Sequence, residues 1–356
     1  MLILAGVTIA TLTGDNGLLQ KATSAKQANE NATIDEKARL AKLEYELEMR
    51  SNPNANQLNT MTKALRKVFN DDTMEVKQAG NGFTFTTNGK KYIIKSDGTL
   101  KEMLKTTGLV GKLESDGTLK IKATSQSGDG YTDIYNGEIK NMYTGSTKIL
   151  KVEILELIAP QKISFYQCSD LSLIKNIENM HTENMTTMLE MFRDCSNLTK
   201  VDVSGFETSN VLSTKSMFKG CGQLTELNLN NFDMSNVTDM SYMFSGCNKL
   251  QELNISNFNL ISCTTTSDMF VNCNKLNKLD LSTWINTSGV GNMNYMFQLT
   301  GSNELAEVNF GKNFIIGTNT TYNNFMKNVK NTTHIICNSD MAEKIGNSFT
   351  NVTIIQ

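Results

Sequence analysis

The chain has 356 residues and carries 34 basic against 36 acidic side chains, for a formal net charge of −2. That length accommodates two or more domains, and the charge balance gives no reason to expect a nucleic-acid partner. Two His, one Trp and seven Cys without a CxxC pair argue against a His-based metal or catalytic site, a zinc ribbon or a fully paired disulfide scaffold.

The first stretch, MLILAGVTIATLTGDNG, has about a dozen apolar residues ahead of Gly14, fewer than the roughly 20 that span a bilayer. It also lacks the basic start of a signal peptide. From Leu18 to Met49 the sequence is helix-rich. Leu18, Ala22, Ala25 and Ala32 form a weak apolar stripe, and Ile34, Ala38, Ala41 and Tyr45 a better one. Gly14 to Gly17 are expected to bend this helix near its start, and Pro53 to end it. Residues 58–69, LNTMTKALRKVF, predict a second, short helix. GFTFTTNGKKYIIKSDG then predicts a hairpin with a type I′ turn at Asn88-Gly89.

This front part resembles type IV pilins and pseudopilins: an apolar N-terminus, a long polar helix, then a small sheet. More narrowly, LILAGVTI followed by TGDNGLLQKA is similar to the pilin-like proteins of Gram-positive bacteria. The resemblance covers about residues 1–105 and implies a membrane-anchored helix that packs into a filament core. The prepilin cleavage motif and the early acidic residue are missing. The reading therefore carries the expectation that Met1 is an internal start or that the sequence is truncated, with membrane contact through an upstream extension.

Further along, SDGTLK occurs twice, at 96–101 and 115–120. Asp-Gly marks a turn, and the motif has too few carboxylates for a calcium loop. KTTGLVGKLESDGTLKIKATS and STKILKVEILELI read as strands that cap the repeats which follow.

Those repeats dominate the second half. Met-Phe occurs at 191–192, 217–218, 243–244, 269–270 and 296–297, at steps of 26 residues and finally 27. Cys195, Cys221, Cys247 and Cys273 keep the same beat. After each comes an aliphatic ladder: Leu198-Val201-Val203, Leu224-Leu227-Leu229, Leu250-Leu253-Ile255 and Leu276-Leu279-Leu281. An aromatic follows (Phe206, Phe232, Phe258, Trp284), then Val211, Val237, Cys263 and Val290. One such unit cannot bury its own apolar side, but a stack of them can. The ladder ends in period-2 alternation, which predicts a short strand with one face inward. Met and Phe then fill the interior, with Cys as a small core thiol. Phe165, Cys168, Leu171 and Ile174 echo the unit upstream. Leu305, Val308, Phe310 and Phe325 echo it downstream, after an insertion at Gly301-Ser302. The tail reads as strand, short helix, strand, with Ser339 or Asp340 as the expected helix cap.

The pattern MF-x-x-C-x-x-L-x-x-L-x-L, with NFDMSNVTDMSYMF and GFETSNVLSTKSMF, resembles the BspA-like leucine-rich repeat family of bacterial surface proteins over about residues 165–356. The resemblance implies display outside the cell and a role in adhesion or ligand binding. The expected class is α+β: a long N-terminal helix with a small antiparallel sheet, then a right-handed leucine-rich-repeat-type solenoid with parallel strands. The expected divisions are 1–50 and 51–105 (pilin-like), 106–164 (β-rich cap) and 165–356 (repeats).

No nucleophile elbow, P-loop, GxGxxG or HExxH is present, and no carboxylates pair as an acid/base couple, so no enzyme and no cofactor or metal are expected. His181 and His334 read as structural or surface residues. The candidate binding surface is the outward side of the ladder: Asp202, Asn228, Asn254 and Asp280, beside Ser204, Asn230, Ser256 and Ser282. Lys200, Glu226, Glu252 and Lys278 stand one step earlier. These rows read equally as a solubilising face. The sequence thus predicts a surface-displayed, non-enzymatic adhesion or ligand-binding protein with a protein or glycan partner, including host matrix. The alternative is a structural pilin-like subunit that polymerises through its N-terminal helix, with the repeats as decoration.

Overall fold

The computed structural model describes residues 18–356 apart from 80–81, 95–99, 104–107, 124–131, 135–136, 140–147, 285–286 and 300–302, and, of these, side chains from Ile34 onward except at 79, 101, 103 and 347. The apolar N-terminus, the bend at Gly14 to Gly17, the turn residues 96–99 of the first SDGTLK and the insertion at Gly301-Ser302 lie outside the described residues. The chain divides into two compact units, Met1–Met103 and Leu104–Gln356.

The first unit begins with α1 (Leu18–Ser51) and α2 (Gln57–Phe69). Pro53 follows two residues after α1 stops. Asn56 starts α2 by accepting the Asn59 amide at 2.9 Å, and Asn70 ends it in the left-handed region. β1 (Val76–Ala79), β2 (Gly82–Thr87), β3 (Lys90–Ile94) and β4 (Leu100–Met103) form an antiparallel meander. Asn88 and Gly89 join β2 to β3 with φ of 50° and 73°, the two positive values a type I′ turn requires. Ile34, Ala38 and Ala41, spaced along one side of α1, are buried in a core with Met61, Leu65, Phe83 and Phe85.

The second unit opens with a mixed sheet. β5 (Leu109–Leu113), β6 (Thr118–Ala123), β7 (Thr132–Asp133), β8 (Lys151–Ile154) and β9 (Leu173–Lys175) lie in the order β7-β5-β6-β8-β9. β5 is antiparallel to β6 and β7, whereas β6, β8 and β9 run parallel. The second SDGTLK is the β5–β6 turn: Gly117 has φ 81° and Asp116 accepts the Thr118 amide and hydroxyl. One continuous core then runs from Leu109 to Phe349.

The repeat residues stack within that core. Phe165, Phe192, Phe218, Phe244, Phe270 and Phe297 form a column with successive centroids 5.4–6.0 Å apart and rings within 18° of parallel. A second column runs Phe258–Trp284–Phe314. Each repeat thiol donates to the carbonyl of the Phe one coil back: Cys195 to Phe165, Cys221 to Phe192, Cys247 to Phe218 and Cys273 to Phe244, at 3.0–3.2 Å. All seven Cys are free and buried. Burial pushes the Cys221, Cys263 and Cys273 thiols up to about 12, so they stay neutral.

The backbone ties between coils correct the expected class. In the central coils, with only isolated bonds on the aliphatic ladder, they run mainly along the Met-Phe edge. There, alternate amides donate to the next coil: Met188, Glu190, Phe192 and Asp194 to the carbonyls of Ser213, Lys215, Met217 and Lys219, and so on to Leu299 and Lys327. Single parallel bridges mark this edge from Thr187 to Thr321. Positive φ recurs at two places in the coils: before the Met-Phe pair (Glu190, Ser216, Tyr242, Asp268, Tyr295) and before Cys (Gln167, Asp194, Gly220, Gly246, Asn272), with both occupied in the four middle coils. A strand cannot pass through such residues, so the edge is built of turns.

Among the described residues, no strand lies between β9 and β10 (Lys278–Asp280). The parallel sheet is confined to the end: β10, β11 (Glu307–Gly311), β12 (His334–Cys337) and β13 (Val352–Ile354). The expected right-handed leucine-rich-repeat-type solenoid with parallel strands is therefore replaced by a stack of turn-built coils with a mixed sheet at one end and a small parallel sheet at the other. A further correction concerns α3 (Ser339–Ile345). Its cap is Asn338, whose Oδ1 accepts the Met341 amide at 2.8 Å, and not Ser339 or Asp340.

Candidate ligand-binding face

The aliphatic segments place their side chains by simple alternation. Val201 and Val203, Leu227 and Leu229, and Leu253 and Ile255 are buried, while Lys200 and Asp202, Glu226 and Asn228, and Glu252 and Asn254 between them are exposed. Asp280 is exposed likewise, and Ser204 and Ser282 are half-buried. The two rows predicted from sequence therefore lie side by side on one surface. Asp202, Asn228, Asn230, Asn254 and Asp280 line a groove of about 890 Å³ that crosses four successive coils. Lys200, Glu226, Glu252 and Lys278 form its other wall, and Val201, Leu227 and Leu253 its floor. Ser204, Ser256 and Ser282 stand outside the lining.

Several of these side chains already have a local task. Oδ1 of Asp202, Asn228, Asn254 and Asp280 each accepts the amide two residues on, at 2.9–3.1 Å. Asn309 does the same for Gly311. These Asx turns end each extended segment after three or four residues. Ser204 and Ser256 add their hydroxyls to the same acceptors. The serines therefore reinforce turns, and the predicted list mixes turn-makers with groove-liners. The Ser204 hydroxyl, and then its amide, hold the Asp202 carboxyl below its ordinary value.

The outer wall is partly neutralised. Lys200 pairs with Glu226, and this bond raises the Lys200 ammonium. Lys278 stands 3.6 Å from Glu307, which also meets His334 Nδ1 at 3.2 Å, while His334 Nε2 lies 2.9 Å from Thr353. His334 thus prolongs the wall, a position legible only from its place one coil beyond Glu307. Asn254 donates to Asn230 Oδ1 at 3.0 Å across the floor.

A feature of the groove that side-chain patterning does not reveal lies in its main chain. Among the described residues, no backbone–backbone bond joins 200–203 to 226–229, or 226–229 to 252–255. Backbone amides and carbonyls are otherwise almost always paired, with protein, water or ligand. The groove therefore combines main-chain segments that are not laddered to one another, amide side chains and carboxylates over an apolar floor. Such a set has the chemistry to hold a polar ligand by hydrogen bonds.

A second hollow of about 410 Å³ lies at the far end, lined by residues that include Tyr322, Phe325, Lys327, Lys344 and Phe349. None of the predicted site residues reaches it. Among the described residues no three His, Cys, Asp or Glu are grouped to hold a metal ion, and no helix is long and apolar enough to cross a membrane.

No curated protein and no solved structure matches the chain. A family model does, in two overlapping segments at residues 154–228 and 220–338 that together span just over half of the chain. Both segments fall on the stacked coils and the groove, and the chain belongs to the family described as Mycoplasma protein of unknown function, DUF285.

Proposed function

We propose that the chain is a non-enzymatic binding protein, displayed at the cell surface, whose protein or glycan ligand occupies the groove between Lys200 and Asp280. The observation that carries this reading is the groove floor, where, among the described residues, no main-chain bond joins 200–203, 226–229 and 252–255 of neighbouring coils while polar side chains converge above them. Glu252 anchors the ligand. It sits between the Lys200–Glu226 and Lys278–Glu307 pairs with no ion-pair partner of its own among the described residues. Surface display rests on the likeness of the Met-Phe/Cys repeat to BspA-like surface proteins.

The test is retention of the full chain on panels of immobilised matrix proteins and glycans, followed by titration of each hit. Saturable binding that falls at least about tenfold (roughly 1.4 kcal/mol) in Glu252→Lys, with Tm unchanged, supports the reading. Binding that is indifferent to Glu252→Lys and to Asn228→Ala places the site elsewhere.

A further inference from the structure

Helix α1 buries one side and leaves another bare. Leu40, Leu43 and Leu47 are 49%, 55% and 65% exposed, although a surface position on a helix is ordinarily polar. Their spacing of three and four residues puts them on one stripe. Glu36, four residues before Leu40, and Arg50, three after Leu47, extend the stripe at its two ends and are exposed as well. Arg39 and Glu46 flank it along one side. Arg39 is strongly exposed and held only by an i,i+4 pair with Asp35, and Glu46 by one with Lys42.

The order of charges matters. Along the stripe and its flank it runs acidic, basic, acidic, basic: Glu36 and Arg39 before Leu40, then Glu46 just before Leu47 and Arg50 after it. Laid parallel and in register on a second copy, Glu36 meets Glu36 and Arg50 meets Arg50. Laid antiparallel about a two-fold axis near Leu43, Glu36 meets Arg50 and Arg39 meets Glu46, while the leucines of both copies close on one another. Opposite charges at the edges of an apolar seam set partner orientation, and a two-fold contact uses the same patch twice.

We propose that this stripe is a self-association surface on which two copies of the chain pair through antiparallel α1 helices. The seam is about 21 Å long at 1.5 Å per residue, which makes it a small and reversible contact. The pairing does not rest on the groove and doubles its number per particle, which strengthens attachment to a multivalent ligand.

The experiment is sedimentation velocity of the full chain from roughly 5 to 300 μM, repeated on four variants. The wild type is expected to shift from monomer to dimer across this range. Leu43→Asp, at an exposed position, is expected to weaken the dimer at least about tenfold, or roughly 1.4 kcal/mol, with Tm preserved. Glu36→Arg and Arg50→Glu are each expected to weaken it, and the double reversal to restore it. A chain that stays monomeric throughout overturns the proposal, as does a dimer that is indifferent to Leu43→Asp. Single reversals without effect overturn the antiparallel pairing.

Discussion

The two long edges of each coil are built from the same 26-residue unit but are held in different ways. Along the Met-Phe edge, main-chain amides donate from coil to coil at nearly every second residue, the rings stack, and the thiols close the gap to the preceding Phe carbonyl. Along the aliphatic edge the side chains are as well buried, yet the central coils are tied there only near the start of a segment, by Thr225 to Thr199 and Asn277 to Gln251, and not along 200–203, 226–229 and 252–255. Stability is thus concentrated on one edge. The other is left with polar groups that water or a ligand must satisfy, which is where a binding groove costs the fold least.

The largest expected effect falls on the ring column. Phe244 is fully buried between Phe218 and Phe270, and Phe244→Ala should destabilise by about 3–5 kcal/mol through the cavity it opens. Chemical denaturation measures this. A loss below about 1 kcal/mol would show that the column does not hold the stack together. Next comes the turn geometry of the same edge. Gly246 has φ 78°, and a Cβ added there meets nothing closer than 3.5 Å. Gly246→Ala therefore isolates backbone strain, expected at about 1–2 kcal/mol. A neutral result would mean that this residue does not need the left-handed region.

On the aliphatic edge the effects should be small. Asn254→Ala removes an exposed turn acceptor and one bond to Asn230, and its thermal shift should correspond to less than about 1 kcal/mol. Equal shifts for Phe244→Ala and Asn254→Ala would erase the difference between the edges. Smaller still is a pH effect at Asp202. Its folded carboxyl lies below the ordinary value because Ser204 donates to it. The stability it contributes is therefore present above the unfolded value, near pH 4, and is lost as pH falls through the folded one. Asp202→Asn keeps the turn acceptor and removes the titration. The stability gap between wild type and variant should narrow from pH 5 to pH 3; a constant gap would contradict the assignment.

These contrasts also mark what could be read in the sequence. Burial was legible, because a Phe, a Cys and three aliphatics recurring at one period have to share an interior, and alternation placed Asp202, Asn228, Asn254 and Asp280 outward. The main-chain pairing was not. The ladder L-x-x-L-x-L carries the alternation of a strand, but nothing in it says whether its neighbour's amides are in reach. The left-handed positions before Cys were visible in retrospect, since Asp194, Gly220, Gly246 and Asn272 are residue types that tolerate positive φ. Ser216 and Tyr242 at the companion position gave no such signal, because there the stack imposes the conformation. The Asx turns were half legible: Asp-x-Ser and Asn-x-Ser suit such a turn equally as they suit a polar binding row.

Hydrogen exchange resolved by residue tests the division of the coil most directly. The amides of Phe218, Gly220, Phe244 and Gly246 have coil-to-coil partners and should exchange only on the timescale of global opening. Those of Leu227 and Leu253, at the groove floor, should exchange orders of magnitude faster in the same native protein. Equal protection of the two sets would mean that the aliphatic segments are laddered after all, and the groove would lose the unladdered main chain on which the functional reading stands.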